Sequence, residues 1–75
     1  MARRDIHHVW GFEQNHANIN ADFRIFNDAM QFAIALQNAD NIDYIQIESP
    51  RLNEIRGWKL TQDGWKFQEI EKIED

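Results

Sequence analysis

The sequence predicts a two-layer α+β domain, one helix packed on an antiparallel sheet of four to five strands, in the order strand, strand, helix, strand, strand, strand. Three observations carry this. Alternating segments flank the pair Asp63-Gly64, apolar residues recur at helical spacing from Ala29 to Leu36, and a further alternating segment over residues 42–49 stops at Pro50. With 75 residues and no internal repeat or linker, the chain is read as a single domain over residues 1–75.

The first quarter alternates less cleanly. Ile6, His8, Trp10 and Phe12 are set against Asp5, His7, Gly11 and Glu13, with Val9 breaking the division. A polar, asparagine-rich turn is expected over residues 14–18, because asparagine tolerates left-handed backbone angles. Ile19, Ala21, Phe23 and Ile25 alternate after it, so the two segments predict a loose hairpin. The helix is expected to start at Asn27 or Asp28, either of which can cap exposed amides, and to run to about Asn38. Its apolar arc is wide, with Met30 and Ile34 to one side of the stripe formed by Ala29, Phe32, Ala33 and Leu36.

In the next strand Ile45 and Ile47 are expected to point one way and Tyr44, Gln46 and Glu48 the other; Pro50, which has no amide to give a ladder, ends it. For the last hairpin, taking Asp63 and Gly64 as a two-residue type I′ loop pairs Gln62 with Trp65, Leu60 with Phe67 and Trp58 with Glu69. Trp58, Leu60, Trp65 and Phe67 then share one face, with Lys59, Thr61, Lys66 and Gln68 on the wet one. The expected core centre is Phe32, Leu36, Ile45, Ile47, Trp58, Leu60 and Phe67. Phe67, Ile70 and Ile73 are three apart, which leaves residues 68–75 open between a bulged strand and a short helical tail.

Composition narrows the function classes. The chain is 43% apolar and 12% aromatic, too rich in core formers for a disordered segment. It has no cysteine, so neither disulfides nor thiolate metal sites supplement a core that buries only about 60–65% of the unfolded surface. A cytoplasmic location follows as the expectation. Arg3 and Arg4 are followed by Asp5, His7 and His8 rather than by an apolar stretch, so no export signal is expected. Residues 32–36 form the longest apolar run, far short of the roughly 20 needed to span a bilayer, and no membrane role is expected. The net charge is −5, and residues 28–50 carry four acids and no Lys or Arg. That distribution weighs against general binding to polyanions.

Candidate chemistry is sparse. His7, His8, His16 and Glu13 are metal-ligating types, but His7 and His8 are neighbours on a strand and so point to opposite faces; no metal and no cofactor are expected. Ser49 is the only serine and Thr61 the only threonine; Ser49 has no histidine near it in sequence, and no catalytic residue is assigned. The expectation is therefore a protein that is not an enzyme but a binding module, an adaptor or inhibitor that covers a surface of a protein partner, with a homodimer included. Its candidate interface is Met30 and Ile34. The alternative is a nucleic-acid-associated protein using Arg24, Tyr44, Lys59 and Lys66 on the outer sheet face. It ranks lower because positive charge must dominate such a footprint, and Tyr44 is the one ring expected beside those lysines. An acidic mimic of nucleic acid is a third reading, suggested by the net charge.

Overall fold

The computed structural model describes residues 6–68 and 71–72. It is an α+β fold in two layers: strands β1 (His7–Glu13) and β2 (His16–Phe23), helix α1 (Phe26–Leu36), then β3 (Tyr44–Ser49), β4 (Glu54–Thr61), β5 (Gly64–Phe67) and the two-residue β6 (Glu71–Lys72). All pairings are antiparallel, in the order β2-β1-β3-β4-β5, with β6 continuing along β4 beyond β5. Residues 71–72 are thus strand; Ile70 and Ile73, and Arg3, Arg4 and Asp5 at the other end, lie outside the described residues.

The helix seats on β1 and β3 through small side chains. Ala29 and Ala33, four residues apart and so on one face, are fully buried with Leu36. Beneath them lie Val9, Ile45 and Ile47, all with no exposed surface, and Ile42 from the loop before β3 closes the end. Gly11 belongs to the same layer. A Cβ there would come within 2.9 Å of Ile42 Cδ1 and 3.4 Å of Leu36 Cδ1, so only glycine lets these side chains approach β1.

That seat sets the parity of β1. His7, Val9 and Gly11 face the helix, while His8, Trp10 and Phe12 face away. The sequence pattern suggested the opposite, since Trp10 and Phe12 are the larger apolar groups. The expected core centre changes with it: Leu36, Ile45 and Ile47 are buried, Phe32 and Trp58 pack at the margin, and Leu60 and Phe67 are exposed.

Both hairpins depart from the expected turns. The first is tight, with Gln14 and Asn15 at φ 51° and 74° as a two-residue type I′ loop and Glu13 opposite His16. Of the residues read as a longer turn, 16–18 are already strand, and a bulge absorbs the mismatch: Gly11 faces Ile19, Phe12 faces Ala17, and Asn18 is the extra residue. Asn18 Nδ2 donates to Glu13 Oε1 (3.1 Å) and to the Asn41 carbonyl (3.2 Å). In the last hairpin Thr61 faces Gly64, Leu60 faces Trp65 and Trp58 faces Phe67, so Gln62 and Asp63 form the loop. Gly64, at φ 111°, is the turn's only left-handed residue, which corrects the type I′ assignment to a turn relieved by a glycine at the strand start. The register moves by one residue on each strand. Parity is therefore preserved, and Trp58, Leu60, Trp65 and Phe67 do share a face.

The helix start also differs. Ile25, extended at φ −106° and ψ 123°, occupies the cap position and offers no side-chain acceptor. Asp28 instead lies in the first turn, where its charge complements the exposed amides. Tyr44, Gln46 and Glu48 face away from the helix as expected, and Pro50 opens a single 3-10 turn, Pro50–Leu52, after β3.

Two glycine substitutions should separate packing from backbone strain. Gly11→Ala should cost about 1–3 kcal/mol by overpacking against Ile42 and Leu36. Gly64→Val, where no atom lies within 4 Å of the added Cβ, should cost about 1–2 kcal/mol from the positive φ alone. Urea unfolding midpoints of the two variants measure both.

Candidate functional site

Two surfaces remain once the core is assigned, one on each face of the sheet. On the helix-bearing face α1 packs over β2, β1 and β3, and the inner side of β4 and β5 extends past it. Trp58, Leu60 and Phe67 line this extension, with Trp58 and Phe67 edge to face at 5.4 Å. Leu60 is 43% exposed and Phe67 51%.

The helix flank above them can be located from contacts at its two ends. Phe26 stands under the Arg56 guanidinium of β4, 5.0 Å from ring to cation, and the Gln37 carbonyl after the last turn accepts from Trp65 Nε1 of β5 (3.0 Å). At the helical 100° per residue, Phe26, Gln37, Met30 and Ile34 fall within about an 80° arc. Met30 and Ile34 therefore stand on the side of α1 that looks onto β4 and β5. Met30 is partly buried against the core margin and Ile34 is 49% exposed. The two residues singled out from the wheel thus join Trp58, Leu60 and Phe67 in one apolar shelf, walled by the helix and floored by the sheet.

The outer face carries a different set. Register places Phe12, Tyr44, Lys59 and Lys66 in one row across four strands, with Trp10, Gln46 and Gly57 in the next row. Gly57 is buried beneath the Tyr44 ring, whose hydroxyl lies where a Cβ would have to be. Phe12 tilts against Tyr44 at 5.9 Å. Beside this row is a pocket of about 560 Å³ lined in part by Gln14, Asn15, Asp43, Tyr44, Lys59 and Gln68. Arg24 does not join the row: it follows the end of β2, at the edge of the sheet opposite Lys66. Trp10 and Phe12 are the members sequence reasoning missed. The one available signal was Val9, whose interruption of the alternation marks the face that goes inside.

The histidines separate. His8 Nδ1 meets Asp22 Oδ1 at 2.8 Å on the outer face, and its ring stacks on Trp10 at 5.7 Å. His16 is exposed at the start of β2, opposite Glu13. Among the described residues, no three His, Cys, Asp or Glu groups converge as metal ligands. His7 is buried on the helix face, its Nδ1 2.8 Å from Ser49 Oγ and its ring edge-on to Phe26. This contact joins residues 42 apart and was not legible in the sequence. Ser49 is 1% exposed and His7 6%, so a substrate has no path to the hydroxyl and the pair acts as mutual satisfaction of buried polar groups.

Comparison with known proteins adds no template. The chain matches no protein-family model, no curated protein and no solved structure. Among the described residues, no helix is long and apolar enough to cross a membrane. The two surfaces are therefore read from their own chemistry.

Burial holds the His7 imidazole below its ordinary pKa, helped by the positive charges of His8 and Arg51. In the unfolded chain His7 protonates near about pH 6.5, whereas in the fold it stays neutral to lower pH. Its contribution is complete above that value and is lost as pH falls from there toward the depressed folded pKa. Between about pH 7 and pH 5, thermal unfolding should show a His7→Gln variant losing less stability than the native chain; equal losses would remove His7 as the cause.

Proposed function

We propose that this chain is a non-catalytic protein-binding module whose working surface is the apolar shelf of Met30, Ile34, Trp58, Leu60 and Phe67. The observation that supports it is the seat of the helix over β1 and β3, which leaves Leu60 and Phe67 on the paired strands β4 and β5, and Ile34 on the helix flank, about half exposed. Apolar surface of this kind, rich in aromatic residues and methionine, is the composition of an interface centre. A module that acts by covering a partner needs no nucleophile or metal, and none is assigned here.

A second copy of the chain is the first occupant to test. A two-fold contact requires a single patch that meets itself, and this shelf offers both a ridge at Ile34 and a floor at Phe67. A different protein with an apolar helix or strand face would use the same surface as an adaptor or inhibitor does.

Ile34→Glu and Phe67→Glu each place an unpaired charge at the shelf; Ile34→Glu should change stability by less than about 1 kcal/mol and Phe67→Glu by about 1–2 kcal/mol, through the lost edge contact with Trp58, with the fold retained in both. Sedimentation of the native chain should show a concentration-dependent dimer that both variants weaken at least about tenfold. Circular dichroism that stays native, with association unchanged, would reject the shelf; a native chain that is monomeric at all concentrations would reject the second copy and leave a foreign protein as its occupant.

A further inference from the structure

The outer face ranked lower for nucleic acid on two grounds, the acidic balance of the chain and the single ring expected beside its lysines. The register changes the second. Trp10 and Phe12 of β1 and Tyr44 of β3 all lie on the open face, each partly exposed, at the middle of the sheet. Tyr44 is directly opposite Lys59, and Lys59 directly opposite Lys66, with strands about 4.8 Å apart. Both lysines are exposed. Of the described acids near this row, Asp43 lines the adjoining pocket, Asp22 is engaged by His8, and Glu48 is four residues along β3 from Tyr44, about 13 Å away and beyond the roughly 8 Å screening length of physiological salt.

The pocket beside the row adds directional chemistry. Its volume of about 560 Å³ falls within the roughly 300–1,000 Å³ of small-molecule sites. The amides of Gln14, Asn15 and Gln68 can both donate and accept, which suits the edge of a base, and Tyr44 supplies a ring to stack on. Asp43 is committed to the fold, its carboxylate accepting the Gln14 amide at 3.0 Å.

We propose that this face binds single-stranded nucleic acid, with one base in the pocket against Tyr44, neighbouring bases on Phe12 and Trp10, and two phosphates on Lys59 and Lys66. A strand rather than a lone nucleotide is the occupant because the rings extend beyond the pocket along β1, and Trp10 and Phe12, two residues apart, offer separate contacts about 7 Å from one another. Local positive charge beside stacking surfaces is the pairing that single-strand sites use, and Lys59 and Lys66 supply it here in a chain of net charge −5.

Fluorescence anisotropy with labelled uridine and thymidine oligonucleotides of about ten nucleotides tests this. Binding should weaken about sevenfold between about 50 and about 200 mM salt, since two neutralised phosphates on a single strand give a slope near −1.4. Lys59→Ala with Lys66→Ala should abolish that salt dependence. Phe12→Ala should weaken binding at least about fivefold and leave the slope unchanged. Ile34→Glu, on the other face, should have no effect, which separates this site from the shelf. Failure of either oligonucleotide to bind, or binding that ignores both lysines in a folded double variant, overturns the proposal; so does uridine monophosphate binding as tightly as the oligonucleotide, which would make the pocket a nucleotide site.

Discussion

The close seat of the helix on the two central strands is the constraint from which the rest of this structure follows. Ala29 and Ala33 keep the helix seat small, Gly11 leaves room for the Ile42 and Leu36 side-chain tips, and the space between the layers is filled by Val9, Ile42, Ile45 and Ile47. The apolar side chains fully buried between the helix and the sheet are all aliphatic. The aromatic residues are therefore pushed to its margins, as with Phe32 and Trp58, or through to the other face of the sheet, as with Trp10 and Phe12. In a chain with nine aromatic side chains that displacement creates surface chemistry.

The same seat explains why there are two candidate surfaces rather than one. A single helix is about 10 Å wide, whereas five strands span about 19 Å between the outer axes, so one helix cannot cover the sheet. Here it lies over β1 and β3 and leaves the inner side of β4 and β5 as the apolar shelf, tied to the helix at both ends by Phe26 with Arg56 and by Gln37 with Trp65. The helix-face polar pair His7 and Ser49 sits at the end of this layer near the helix start, where a charge would be costly and a neutral imidazole is retained. The two proposed roles fall on opposite faces of the sheet and meet at Leu60, which belongs to the shelf and also lines the outer pocket.

Local pattern was a reliable guide wherever a single strand or turn contained the whole argument. The parity of β3 was readable from Ile45 and Ile47, and the shared face of Trp58, Leu60, Trp65 and Phe67 survived a change of turn because moving one residue on both strands preserves parity. The turn itself was misread because Asp-Gly fits two geometries, and φ at Asp63 decides between them. In the first hairpin Gln14, a residue uncommon at positive φ, is held by the Asp43 carboxylate from the loop before β3, an anchor with no sequence signature. Met30 and Ile34 were legible as an excess on the helical wheel; that this flank lies toward β4 and β5 was not.

The sequence alone determined the α+β class, the order of elements, the inward face of β3 and the alternation of β4 and β5, because side-chain period and turn chemistry act within a few residues. Tertiary structure decided which face of β1 turns inward, how much of the sheet the helix covers, and that His7 reaches Ser49 across 42 residues. The physical reason is that hydrophobicity ranks Trp10 and Phe12 above Val9 and Gly11, whereas burial under a closely seated helix is limited by volume. Only the distance between the layers, a property of both at once, states which rule prevails.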